Sequence, residues 1–355
     1  MMVDLEKDAT TGFEKVILRE PRGSSAEILL FGGQVTSWKN ERGEELLFLS
    51  SKAIFKPPKA VRGGIPVCFP QFGGQGSLEQ HGFARNRLWK IVESSSPLPS
   101  VDSDKFSLIN NSTKAIVELM LTPSEEDMKI WPHKFELRLR VALSSGGGLT
   151  MTVKVNNKDT KQFSFTFALH TYLSVADITE VRVEGLETLD YLDNLKSGER
   201  STEQGDAITF DNELDRVYLS TPSKIAVVDH EKKRTFVLKK DGLPDLVVWN
   251  PWERKAKQMV DFGDDEYKYM LCVEAAAVEK PIVVRPEEEW TARQELSAVS
   301  SSYSSGPLDP RRVLHGSSKE HLPQYQASII SRFSLRLFAV MTLMCSSRNP
   351  NIKKS

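Results

Sequence analysis

Phe135-Glu136-Leu137-Arg138-Leu139-Arg140-Val141 alternates apolar and polar side chains without a break. Leu149-Thr150-Met151-Thr152-Val153-Lys154-Val155 repeats the pattern after the Ser-Ser-Gly-Gly-Gly stretch from Ser144 to Gly148. Period-two alternation sends every second side chain to one face. The segment therefore reads as a hairpin of two antiparallel strands, each with one face in a core and one in water. Working outward, Ala26 to Phe31 is an apolar run that stops at Gly32-Gly33, and Arg182 to Val183, Ile225 to Val228 and Arg234 to Leu238 read as further short strands. Long helical periodicity is nearly absent. One short helix is expected after Thr122, where Thr122-Pro123-Ser124-Glu125 offers a cap, a proline in the first turn and a glutamate, with Pro132 ending it. Many short strands joined by Gly, Pro and Asp turns predict an all-β, large antiparallel sandwich.

The bulk numbers agree with that scale. The chain has 355 residues, 39% hydrophobic and 27% charged, enough for a sizeable core, and a β-sandwich can run to roughly 250 residues as one unit. With 47 basic and 48 acidic side chains, no global field favours nucleic acid or an anionic membrane. Cys68, Cys272 and Cys345 are far apart with no CxxC pair, so they read as free thiols in a reducing, cytoplasmic setting. The segment Met1 to Asp8 has neither the apolar run of a secretory signal nor an arginine-rich amphipathic pattern. Composition shifts near Leu296. Residues 12–296 are expected to form the sandwich, and 297–355, serine-rich at first and then charged and proline-containing, to form a disordered tail. Arg332 and Arg336 interrupt the apolar stretch from Ser328 to Cys345, which falls short of the ~20 residues of a membrane span.

Three segments carry candidate chemistry. In Phe163-Ser164-Phe165-Thr166-Phe167-Ala168-Leu169-His170-Thr171-Tyr172-Leu173, the phenylalanines and Leu169 share one face. The other face is small and polar and ends in His170, leaving room for a ligand. An isolated histidine is more often a packing residue, so the small neighbours are what raise it to a candidate. In Tyr269 to Val278, Glu274 stands inside an apolar strand followed by three alanines. A buried carboxylate is costly unless it is paired, so it is either an ion-pair partner or a functional group. The stretch Val61 to Gly73, followed by Gln80-His81-Gly82-Phe83-Ala84-Arg85-Asn86-Arg87, combines permissive glycines with arginines able to fork onto phosphate or sugar oxygens. Its glycines match no nucleotide-binding fingerprint. His81 is open to a ligand contact or a structural hydrogen bond, and Arg87 to a role as a solvated carboxylate partner.

Taken in order, Arg62-Gly63-Gly64-Ile65-Pro66, Gln80-His81-Gly82-Phe83-Ala84-Arg85, Leu169-His170-Thr171-Tyr172 and Val273-Glu274-Ala275 resemble the aldose 1-epimerase superfamily. Asp211 to Tyr218 and Val248-Trp249-Asn250-Pro251-Trp252 strengthen the likeness to its glucose-6-phosphate 1-epimerase branch. The resemblance covers roughly residues 12 to 295 and implies a galactose-mutarotase-like supersandwich. It also implies His170 as general acid, Glu274 as general base, and Arg62, Gln80, Arg85 and Asp215 as substrate-binding residues. The expected substrate is a hexose 6-phosphate, its phosphate held by Arg62 and Arg85. Neither a metal nor a cofactor is required, and the chain is expected to act as a monomer without nucleic-acid or membrane partners. The chemistry is ring opening by an acid and a base, expected on opposite sides of the sugar, then rotation about C1–C2 and reclosure. A free-hexose mutarotase is the rival enzyme, disfavoured by the arginine pair. A non-catalytic sugar-phosphate sensor is the rival binder, disfavoured by the presence of both His170 and Glu274.

Overall fold

The computed structural model describes residues 2–92 and 114–300. Among these, three sheets form, one of four strands and two of eight, and every pairing between named strands is antiparallel. The expected hairpin is present as Phe135–Ser144 against Leu149–Asn157, with Leu137 opposite Val155 and Leu143 opposite Leu149. Its alternation is the physical one: Leu137, Leu139, Val141, Met151 and Val153 are buried while the residues between them are partly exposed. This hairpin lies within one eight-stranded sheet, beside Glu289–Ser300 on one side and Lys114–Leu121 on the other. The second eight-stranded sheet is built around the long strand Met270–Val284, flanked by Asp245–Asn250 and Phe163–Leu169. One continuous core joins apolar side chains from all three sheets, among them Leu18, Leu139, Phe167 and Val273.

Ordered strands extend past the expected bounds of 12–296 at both ends. Met2–Lys7 pairs with Glu14–Arg19, and the last strand runs to Ser300, which faces Arg234. Serines 297 and 300 are held there by a neighbouring strand, a long-range constraint that composition does not encode. The remainder of the expected tail, 301–355, lies outside the described residues. The short helix occupies Glu125–Ile130 and stops before Pro132, but its cap is Ser124 rather than Thr122. Asp127 completes a capping box with Ser124, and its buried carboxylate also holds Arg87 at 2.7 Å, so Arg87 is a structural ion-pair partner. No helix among the described residues is long and apolar enough to cross a membrane.

Two local devices bear on His170 and on the segment that carries Arg62. The strand expected from Phe163 to Leu173 comprises Phe163–Leu169 and Tyr172–Ser174, which pair with Met270–Val284 in one register, Leu169 opposite Ala275 and Tyr172 opposite Cys272, with His170 and Thr171 in the gap between them. The gap is pinned on both sides. The His170 N–H donates to Pro66 O at 3.0 Å, and the buried Thr171 hydroxyl accepts from Gln294 Nε2 at 3.0 Å. The second device is Gly63-Gly64, threaded between two backbone segments. Gly64 has φ +62°, and a Cβ there would stand 2.2 Å from Val35 O.

Gly64→Ala should therefore destabilise the fold much more than Gly73→Ala. Gly73 also has a left-handed φ, +58°, but a Cβ there meets nothing within 4 Å. The left-handed backbone alone costs an alanine about 1–2 kcal/mol. Urea melts of the two variants measure the difference; equal losses would show that the glycine loop is not sterically closed.

Candidate active site

Glu274 comes from the middle of Met270–Val284, opposite Val247 on one side and near Ala168 and Leu169 on the other. Its side chain is 1% exposed, and that of His170 8%. His170 Nδ1 stands 3.3 Å from Glu274 Oε1, close but not aligned as a hydrogen bond; Nδ1 and Glu274 Oε2 have no hydrogen-bond partner among the described residues. Buried polar atoms are rarely left this way, because each costs about 1–3 kcal/mol. Glu274 and His170, expected to act from opposite sides of a sugar, thus sit side by side. The chemistry accounts for this: the anomeric oxygen and the ring oxygen are both bonded to C1, so two adjacent groups reach both.

Aromatic rings fix the imidazole. Tyr172 stacks on it at 4.7 Å and 7°, Trp249 meets it edge-on at 6.0 Å, and the His81 ring lies 5.3 Å away. His81 accepts the Gly73 N–H at Nδ1, 3.3 Å, so its proton is placed on Nε2. Arg62 is tethered on two sides. It forks onto Asp261 at 3.2 and 3.3 Å and donates to the Tyr172 hydroxyl at 3.1 Å. Arg85 sits in a short 3-10 turn at Ala84–Asn86 and donates to Gln80 O at 2.6 Å. Its buried Nε has no hydrogen-bond partner, and it forms no ion pair among the described residues. Gln80 and Asp215 line a pocket of about 240 Å³ together with Phe72, Leu192 and Asn194. Asp215 accepts from Asn194 Nδ2 at 2.7 Å.

Burial dominates the electrostatics. It holds the His170 imidazole well below its ordinary range, helped by His81, Arg62 and Arg85, and lifts the Glu274 carboxyl well above its own, helped by Asp215. Both shifts favour the uncharged forms of the two groups, imidazole and carboxyl. Burial, Arg85 and Arg62 also lower His81 to about 3, and burial raises Asp215.

Of the six residues singled out in the sequence, His170 and Glu274 are in contact, Arg62 and Arg85 bear electrostatically on His170 and Asp215 on Glu274, while Gln80 and Asp215 line the pocket. The two arginines differ, since Arg62 pairs with Asp261 and Arg85 forms no ion pair among the described residues. Sequence reasoning missed Asp261, which has no local signal, and Cys272, which parity places on the face of Glu274 two residues away. Sγ of Cys272, a ligating atom of His170 and one of Glu274 lie within 4.8 Å of one another.

An antiparallel sandwich holding a buried carboxyl–imidazole pair beside a polar pocket is the layout of a sugar mutarotase. The chain belongs to the aldose 1-epimerase family, whose sequence model matches residues 14–297. A Cenchrus ciliaris protein, provisionally named glucose-6-phosphate 1-epimerase, is 66% identical over 308 residues, 86% of this chain and 91% of its own. An Escherichia coli protein with the same provisional name is 33% identical over 273 residues, 76% and 86% of the two chains. The solved structure of a provisionally named mutarotase from Salmonella typhimurium matches with a TM-score of 0.71 at 27% identity, covering 84% of this chain and 97% of that one. Galactose 1-epimerase from Lactobacillus acidophilus shares the fold at a TM-score of 0.62 and 14% identity, over 85% of this chain and 100% of that one. The fold is the galactose-mutarotase-like supersandwich.

The low His81 value has a consequence for acid stability. Above its ordinary value of 6.5, His81 is neutral folded or unfolded. As the pH falls from 6.5 towards about 3, the unfolded chain takes a proton that the folded one refuses, so stability is lost. His81 has φ +66°, a backbone asparagine tolerates, so His81→Asn is the suitable variant. Denaturant melts between pH 6.5 and 5 should show a shallower loss of stability in this variant than in the wild type. Parallel slopes would mean that His81 takes up its proton in the fold.

Proposed function

We propose that the protein interconverts the α and β anomers of glucose 6-phosphate, with Glu274 and His170 as the acid–base pair. The observation that carries this reading is the buried carboxyl–imidazole contact at 3.3 Å with both groups' unpartnered atoms. The substrate is a sugar, and the 6-phosphate is assigned to Arg85, which forms no ion pair with a carboxylate among the described residues. Arg62 holds the Tyr172 ring against His170 and faces the same end of the substrate. Gln80 and Asp215 take ring hydroxyls in the pocket.

Proton counting gives the cycle. A neutral pair and an imidazolium–carboxylate pair carry the same single proton. Arg62 and Arg85 both disfavour the imidazolium. A bound phosphate dianion offsets Arg85 and so moves the pair towards imidazolium and carboxylate. Glu274 then takes the proton from the anomeric hydroxyl while His170 protonates the ring oxygen, and the C1–O5 bond breaks. The open aldehyde therefore forms with Glu274 protonated and His170 neutral, the state burial favours. Rotation about C1–C2 exposes the other carbonyl face, and the reverse transfers close the ring and restore the pair. No electrons are exchanged with a cofactor. The buried free thiols Cys68 and Cys272 support a reducing, cytoplasmic setting. Residues 2–300 are the catalytic unit, a reading supported by the extent of the strands and of the family match.

NMR exchange spectroscopy on glucose 6-phosphate and on glucose, corrected for spontaneous mutarotation, tests both assignments. Glu274→Gln and His170→Gln should each lower kcat by about 10²–10⁴-fold. Arg85→Ala should lower kcat/KM for the phosphorylated sugar by about 10-fold or more, leaving that for glucose nearly unchanged. Near wild-type turnover in either pair variant would overturn the acid–base assignment, and a parallel loss on both sugars would overturn the phosphate role of Arg85.

A further inference from the structure

Ring opening uses His170 and Glu274 but gives Cys272 nothing to do. Yet its sulfur points to the same face of the strand as Glu274, and sulfur, carboxyl oxygen and ring nitrogen all lie within 4.8 Å. All three residues are buried, and Nδ1 of His170 and Oε2 of Glu274 lack hydrogen-bond partners among the described residues. We propose that His170, Cys272 and Glu274 form a binding site for a thiophilic divalent cation, zinc above all, and that its occupation shuts the enzyme off.

The donor set decides the metal. One thiolate, one imidazole and one carboxylate suit a borderline-soft ion that takes three protein ligands and leaves a fourth position open. Magnesium and calcium prefer oxygen ligands in larger numbers and are poorly served. Geometry is close to what is needed. Ligands at about 2.0–2.3 Å around a tetrahedral zinc stand roughly 3.3–3.8 Å apart. His170 and Glu274 are already at 3.3 Å, and the sulfur has at most about 1.5 Å to close. Charge does not oppose entry, although Arg62 and Arg85 are near. Zinc takes the place of two protons, one from the thiol and one from the carboxyl, so the net charge of the buried site is unchanged. Metal and sugar need the same atoms of His170 and Glu274, so each excludes the other. This last step rests on the acid–base reading above; the metal site itself rests on the geometry.

The test uses the full-length protein, stripped with a chelator and titrated separately with Zn²⁺, Co²⁺ and Mg²⁺. Zn²⁺ should inhibit anomer exchange competitively with glucose 6-phosphate, reversibly on chelation, and Mg²⁺ should not. Co²⁺ should give a thiolate-to-cobalt absorption band. Cys272→Ser should keep basal exchange, lose that band and need about 100-fold more Zn²⁺ for equal inhibition, with Cys272→Ala as a second variant if the first folds poorly. Absence of the band in the wild type, or equal zinc sensitivity in wild type and both variants, would overturn the site. A cobalt–thiolate band with undiminished exchange would keep the site, overturn its inhibitory role and count against His170 and Glu274 as the acid–base pair.

Discussion

A carboxyl and an imidazole held 3.3 Å apart out of water set the terms for the rest of the molecule. In water the two would ionise separately and each would be screened. Inside the sandwich, neither can easily carry charge without an offset nearby. The pair therefore shares one proton and can exist in two forms of equal total charge. That property suits a mutarotase, which must give and take a proton at two oxygens of one carbon.

Much of the surrounding structure keeps the pair in place. The register on either side of His170 and Thr171 is the same, Leu169 opposite Ala275 and Tyr172 opposite Cys272, so His170 keeps its place in the alternation of the sheet and stands across from Glu274. Tyr172 stacks on the ring, Arg62 holds the Tyr172 hydroxyl, and Asp261 holds Arg62. Farther along the same long strand, the register with Phe163–Leu169 shifts, and the buried Asp245 carboxylate accepts the backbone N–H groups of Val278 and Glu279 at 2.9 Å. That shift absorbs extra residues beyond the alanines while leaving Glu274 in regular pairing. The glycines before Ile65 then bring Arg62 in close against a neighbouring backbone.

The sequence made the sandwich legible because its signal is local. Residues 135–141 and 149–155 alternate strictly, and the hairpin they form follows that alternation residue by residue. His170 and Glu274 were legible for a related reason: each breaks the chemistry of the strand that carries it. What could not be read depends on contacts distant in the chain. Nothing near Asp261 marks it as the partner of Arg62, 199 residues away. Parity put His170 on the face of Ala168, away from the phenylalanines, and the fold keeps it there, across from Glu274. Period-two reasoning gives the face of one strand but not the strand beside it, so the pairing of His170 with Glu274 could not be read locally. Composition likewise set the last strand short, since serines give no sign of the neighbouring strand that orders them.

The central claim is that substrate phosphate, by offsetting Arg85, converts a neutral buried pair into imidazolium and carboxylate. The most direct measurement is the ¹⁵N NMR spectrum of the His170 imidazole near pH 7, recorded empty and with a 6-phosphorylated 1,5-anhydrohexitol, which lacks the anomeric hydroxyl and cannot react. The account predicts a neutral ring in the free protein and a shift towards the imidazolium position on binding, with no such shift for the unphosphorylated anhydrohexitol. An imidazolium already present in the free protein, or a ring that stays neutral in the phosphorylated complex, would contradict it.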